Sequence, residues 1–286
     1  ILLPIIVAFT YSYIKNRELF ERHALEDLSV IGEAFEADVY NILDLYEKTV
    51  KDFASDGLII DALQRIGRGD RFAGKALSDH LVRNKLPIGL HITLIHAVGL
   101  DGKVKASTDA SAIGVDLSKE PFFSAADVTI TETLVEERPA LAVTAPVNGA
   151  GASSSAGFLV AFIKLSDLSR VMPGEFKRGI EDHGWRASKE SLEAYIVNRD
   201  MLMLTESRFI KGSVLRTKVA TEPVLSCVNK GADLNGFYPD YRGIQVAGAS
   251  KCIKPLGWTL LVEIDAAEAL GPGSAMKRHA AMVWSL

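Results

Sequence analysis

The sequence predicts an α+β fold: one long N-terminal helix, then two related antiparallel sheets of about five strands, each with flanking helices. Three observations carry that prediction. Apolar residues recur at helical spacing over residues 17–56. The segments that follow alternate apolar and polar residues and are separated by turn chemistry. A strand–helix unit then recurs at an offset of one hundred residues.

The helix comes first. Leu25, Leu28, Phe35, Val39, Ile42, Tyr46 and Phe53 fall at alternating a and d positions, with Gly32 and Thr49 as the weak sites. Such a stripe serves either as a dimer seam or as the face by which the helix packs on its own domain. Periods of 3.5 and 3.6 drift by only ~20° per heptad and do not separate the two. Residues 58–85 read as helical and then loop-like, punctuated by Gly67, Gly69 and Gly74.

Strand material follows. Residues 91–98 alternate, Asp101–Gly102 is a hairpin turn signal, and residues 103–108 return as a strand. A loop with Gly114 and Pro121 leads to a strand at 139–147, with Leu141, Val143, Ala145 and Val147 on one face. The small-residue stretch 148–157 reads as a hairpin loop, 158–165 as a strand, and Ser166 as the cap of a short helix from Asp167. The same grammar returns with strands at 194–197, 201–207, 242–252 and 258–264 and a helix from Asp265. Gly157-Phe158-Leu159-Val160 matches Gly257-Trp258-Thr259-Leu260. A repeat at that distance means two copies of a domain, because solenoid units are much shorter.

The expected organisation is therefore a stalk helix at 15–57, a first domain at 58–170, a linker at 171–190 and a second domain at 191–270. Residues 1–14 are apolar and uncharged and stop abruptly at Lys15, with Tyr11 and Tyr13 where interfacial aromatics belong. A span needs about 20 such residues, so this reads as the end of a transmembrane helix. A buried core helix or a signal-peptide remnant is the alternative. Residues 271–286 turn apolar and suit the start of a second transmembrane segment, with Trp284 as its anchor. Lys15, Arg17, Lys277 and Arg278 all flank the middle region, which by the positive-inside rule argues for the cytoplasmic side.

A net charge of −4 leaves no global basic field, which argues against nucleic acid as a partner. Cys227 and Cys252 suit either one disulfide or two buried thiols. The disulfide is the favoured reading and implies an oxidising compartment. No enzyme constellation emerges. Gly67-Arg68-Gly69-Asp70 lacks the Lys-Ser/Thr of a phosphate loop. His91 and His96, five apart on one strand, face opposite sides and cannot share a metal. Glu132, Glu136 and Glu137 read as a solvated acidic face. No nucleophile has a base beside it, so no catalytic residue, metal site or cofactor is expected.

Two runs of residues resemble a known family. Gly99-Leu100-Asp101-Gly102 through Ser107-Thr108, then Gly114-Val115-Asp116-Leu117 and Pro121-Phe122-Phe123, are similar to the first half of a Cache domain. Tyr241-Arg242-Gly243 followed by Gly257 to Asp265 resembles the end of the second copy in double Cache sensors. The resemblance implies two PAS-like domains in the periplasm or extracellular space, which outweighs the charge count. It implies the sensing region of an inner-membrane receptor, most like a histidine kinase, with chemotaxis receptors and diguanylate cyclases as alternatives. The expected partners are a small-molecule ligand in the membrane-distal copy and a second copy of the chain through the long helix. A protein-interaction module with no small ligand is the rival reading.

The ligand site implied by the resemblance is the hairpin end and the loop that follows it. Ser107 and Thr108 offer hydroxyls, Glu120 belongs to the loop, Phe122 and Phe123 offer aromatic walls, and Thr144 lies on a facing strand. Arg138 could supply positive charge. Both phenylalanines have a core reading as well, which for Phe123 weighs as much as the pocket. Tyr195, Tyr238, Tyr241 and Arg242 are the equivalent candidates in the proximal copy. Amino-acid-binding members carry an Arg and a Trp-Tyr pair in the loop and an Asp on the last strand. Here Glu120-Pro121-Phe122-Phe123 and Phe162 stand there, so the expectation is a ligand other than an ordinary amino acid.

Overall fold

The structure, a computed structural model, describes residues 2–123, 127–135, 137–149, 155–165 and 190–271. The expected helix from Asp167, the linker apart from Glu190, Glu136, and the C-terminal segment apart from Gly271 lie outside these residues. The chain divides into two compact units. One comprises residues 39–168 and holds a five-stranded sheet; the other comprises 1–38 with 169–286 and holds a four-stranded sheet.

Helix α1 (Leu2–Ala54) begins in the apolar N-terminal run and supplies residues to both units. Among the described residues, no helix is long and apolar enough to cross a membrane. The buried stripe of α1 is Leu28, Ile31, Phe35, Val39, Leu43, Tyr46, Val50 and Phe53. Leu43 and Val50 replace the expected Ile42 and Thr49, because the stripe keeps the period of a straight helix and not a strict heptad. In the four-stranded unit, Lys251 bonds Glu33 at 3.2 Å, and Asn235 bonds Ser29 at 3.3 Å. In the five-stranded unit, Tyr46 meets the His91 ring edge-on at 6.3 Å, and the Lys85 ammonium lies 5.0 Å from the centre of the Phe53 ring. The stripe expected to serve as a homodimer seam is thus buried inside its own chain. Val39, for example, is 2% exposed.

Helix α2 (Gly57–Gly67) starts at Asp56, whose carboxylate accepts the Leu58 N–H at 2.7 Å and pairs with Lys85 at 2.6 Å. Helix α3 (Ala73–His80) continues through a π-turn and a 3-10 turn to Ile88, so the expected loop character of 58–85 is confined to short joints.

The five-stranded sheet contains β1 (Ile92–Val98), β2 (Val104–Ser107), β3 (Thr129–Val135), β4 (Arg138–Asn148) and β5 (Ser155–Lys164) in the order β2-β1-β5-β4-β3. The second sheet contains β6 (Glu193–Val197), β7 (Asn235–Pro239), β8 (Gln245–Ile253) and β9 (Trp258–Asp265) in the order β6-β9-β8-β7. Matching β6, β9, β8 and β7 to β1, β5, β4 and β3 gives one order for both sheets. The place of β2 is taken by residues around Met203, which pair only through isolated bridges such as Val197 with Met203. A short helix, α4 (Glu222–Lys230), packs on β8 and β9, and β9 runs directly into α5 (Ala266–Ala269). A disulfide joins Cys227 of α4 to Cys252 of β8 across a Cα separation of 5.6 Å.

The echoed glycines explain part of the repeat. Gly157 and Gly257 both have positive φ, 147° and 67°. A Cβ on the first would strike the Val98 carbonyl oxygen, and one on the second would strike the Arg199 side chain. At Gly157 the obstacle is backbone, so only glycine fits; at Gly257 the positive φ is the main demand.

Candidate functional site

Register assigns the faces of the five-stranded sheet. Ser107, His96, Val160, Thr144 and Thr129 stand opposite one another in a single row across all five strands, so their side chains share one face. The next row is Leu94, Phe162, Ala142 and Thr131. Phe122 and half-buried Phe123, from the segment after β2, cover this face. Phe122 packs edge-on to Phe162 at 6.0 Å, Phe123 lies against Phe158 at 5.0 Å, and Val98, Val104, Ala142 and Val160 complete the cluster.

The polar atoms in that row are not equivalent. Ser107 Oγ hydrogen-bonds His96 Nδ1 at 2.9 Å and accepts the Asp109 N–H at 2.8 Å. Burial pushes the His96 pKa down to about 4, against weaker upward pulls from the Ile95 backbone and Asp109, so the imidazole is neutral at ordinary pH. Thr144 and Thr129 are direct cross-strand partners, and both bury a hydroxyl with no hydrogen-bond partner. An unsatisfied buried hydroxyl costs about 1–3 kcal/mol, so two facing one another mark a place where the protein keeps hydrogen-bonding capacity in reserve.

The seven residues expected to bind ligand divide on this frame. Ser107, Phe122, Phe123 and Thr144 gather at the covered face. Thr108 uses its side-chain oxygen to accept the Ile95 N–H at 3.0 Å, continuing the β1–β2 pairing. Glu120 and Arg138 are exposed, the latter at the start of β4 opposite Val135. Phe122 is 3% exposed, in keeping with its core reading. His96, Thr129 and Phe158 share the covered face and were not anticipated, while Phe162, expected on the last strand, packs against Phe122 there. The parity of β1 relative to Ser107 was the available signal for His96. Among the described residues no group of His, Cys, Asp or Glu is placed to hold a metal ion.

The four-stranded sheet presents a different surface. Glu193, Glu263, Gly248 and Gly236 stand opposite one another in a row across its four strands. Tyr195 donates its hydroxyl to Glu263 at 2.9 Å. Tyr241 donates to Glu193 at 2.8 Å. Arg242 bridges Asp240 at 2.6 Å and Asp265 at 2.7 Å and stacks on Phe209 with its guanidinium carbon 3.9 Å from the ring centre. Tyr195, Tyr238, Tyr241 and Arg242 are thus brought into one neighbourhood.

No protein-family model and no curated protein matches the sequence. Solved structures do. The sensor domain of the Vibrio cholerae histidine kinase DctB superposes with a TM-score of 0.62 at 13% identity, over 85% of this chain and 98% of that one. The ligand-binding domain of the Pseudomonas aeruginosa PAO1 chemoreceptor PctB, in complex with L-Arg, gives 0.55 at 16% identity, over 85% and 96%. The sensory domain of the Campylobacter jejuni chemoreceptor Tlp3 with isoleucine bound gives 0.55 at 12% identity, over 88% and 97%. The chain has the double Cache fold. Two antiparallel sheets of shared order behind one long helix are the features of this chain that place it there.

The double Cache neighbours also correct one expectation. PctB is seen with L-Arg and L-Gln, and Tlp3 with isoleucine and L-valine. Excluding an ordinary amino acid from the absence of an Arg and an Asp at two positions therefore does not stand. The physical fault lies in equating a zwitterion's partners with formal charges at fixed places. Neutral hydroxyls and imidazole also donate and accept, and such groups occupy the row across β2, β1, β4 and β3.

Proposed function

We propose that this chain is the extracytoplasmic ligand-sensing region of a membrane-bound signal-transduction receptor, most like that of a histidine kinase. A small molecule binds the covered face of the five-stranded sheet, and the change passes through the four-stranded unit to the chain beyond β9. The observation that supports this most is the polar row from Ser107 to Thr129, with two buried unpartnered hydroxyls on the sheet face that carries Phe122. The shared fold supports the receptor setting, because the DctB, PctB and Tlp3 domains are sensory or ligand-binding domains of receptors. Signal transfer needs only that the ligand binds one arrangement of sheet and loop better than another. A coupling of about 1–3 kcal/mol is typical of such devices.

Thermal shift against a panel of small metabolites tests the reading, with the common L-amino acids first because PctB and Tlp3 bind them. At least one compound is expected to raise the Tm saturably, as ligand binding to the native state requires. A panel without any saturable shift would count against small-molecule sensing and favour recognition of a protein partner.

A further inference from the structure

The four-stranded sheet holds a carboxyl group that the ligand-sensing proposal does not use. Glu263 on β9 is 2% exposed. One oxygen accepts the Tyr195 hydroxyl at 2.9 Å; the other, Oε1, is buried with no hydrogen-bond partner. The buried Tyr238 hydroxyl stands beside it and, like that of Tyr195, favours the charged form. Glu193 is the direct partner of Glu263 across β6 and β9, and Gly248 is its partner on β8.

The charged groups around it do not compensate a negative charge there. Glu193 takes hydrogen bonds from Tyr241 and from the Arg208 N–H at 2.7 Å. Asp240, which follows β7, and Asp265, at the end of β9, share the single guanidinium of Arg242. Glu222 of α4 adds another carboxylate on the Tyr238 side. The Arg208 guanidinium donates to the Leu192 carbonyl at 2.8 Å. An ionised Glu263 would face Glu193 and Asp240 with only the phenols of Tyr195 and Tyr238 beside it. Burying such an anion is far costlier than burying the neutral acid.

We propose that Glu263 is a proton-binding site in the core of the four-stranded unit, occupied at neutral pH and emptied to solvent water on alkalinisation. The geometry is that of a carboxylic acid held neutral by burial among acids and phenols. Burial raises its pKa to about 8, with Tyr195 and Tyr238 opposing the rise and Asp240 and Glu193 adding to it. Glu263 lies three residues before α5, and its neighbour Asp240 is tied through Arg242 to Asp265, where that helix begins. Loss of the proton therefore places charge beside the joint through which β9 leaves its sheet. In the extracytoplasmic setting proposed above, the unit would respond to external pH near neutrality. That consequence rests on the receptor reading; the titration of Glu263 does not.

Infrared difference spectroscopy of the full chain, without added ligand, reads the proton directly. Raising the pH from about 6 to about 10 should remove one protonated-carboxyl band with a midpoint near 8. The band should be missing in Glu263→Gln. Tyr195→Phe keeps the ring and removes the hydroxyl that donates to the carboxylate at 2.9 Å, so it should move the midpoint up by about one unit. It carries the test alone if the Gln variant does not fold. No protonated band at neutral pH overturns the proposal. So does a band that survives Glu263→Gln, or a midpoint that Tyr195→Phe leaves unmoved. A ligand panel that fails while the band titrates as expected would sink the sensing proposal and leave this one intact.

Discussion

At the scale of the residue, the account turns on Thr144 and His96. Thr144 buries an unpartnered hydroxyl, so Thr144→Val removes an unpaired polar group at nearly constant shape. The expected result in urea unfolding is unchanged or increased stability, by up to about 2 kcal/mol. His96 makes a pH prediction whose sign follows from its depressed pKa. The folded protein holds it neutral down to about 4, against an ordinary value of 6.5. Its contribution is therefore complete above about 6.5 and is lost as the pH falls towards 4. Over that window about 3 kcal/mol of unfolding free energy should disappear. His96→Gln should flatten the pH dependence, and the wild-type imidazole should show no NMR titration near pH 6.5. Ser107 and Phe122 were legible in the sequence through the motif they end. His96 and Thr129 were not, because a polar residue on an alternating strand reads the same whether solvent or a loop covers its face. Only the Phe122–Phe123 segment decides which.

At the scale of the element, local chemistry makes three predictions. Gly32 lies inside α1, yet a Cβ there would meet Lys251 and Val262 at an ordinary 3.6–3.9 Å. Gly32→Ala should therefore stabilise by about 0.5–1 kcal/mol, measured by thermal unfolding. Gly157→Ala should do the opposite by about 2 kcal/mol or more, since positive φ and the Val98 carbonyl both oppose it. Reducing the Cys227–Cys252 bond, which closes a separation of 25 residues, should cost about 3 kcal/mol in the chain-entropy picture. The hairpins β1–β2, β4–β5 and β8–β9 were readable because alternation met a turn signal at each. Edge strands β3 and β7 were not, since TITETLV and NGFYP carry little apolar alternation and gain their order by pairing with β4 and β8. Residues 201–207 erred the other way. They look like a strand, but their backbone makes only isolated bridges, and Thr205 Oγ1 accepts the Ile196 N–H at 2.9 Å.

At the scale of the whole chain, the two sheets share one strand order while their cross-strand rows carry different chemistry. The hundred-residue echo made the duplication visible, because Gly157 and Gly257 each carry a positive φ at the start of the strand that closes a hairpin. The long helix posed the harder question. Its stripe fits a seam or an internal face almost equally in sequence, and burial of Leu43 and Val50 in place of Ile42 and Thr49 marks the internal face. The central claim is that the covered face of the five-stranded sheet is where a small ligand binds. Titration calorimetry of the best panel compound against wild type and Thr144→Val tests it most directly. The account predicts a folded variant whose affinity falls by about tenfold or more, equivalent to about 1.4 kcal/mol. Equal affinity in the two proteins would contradict it.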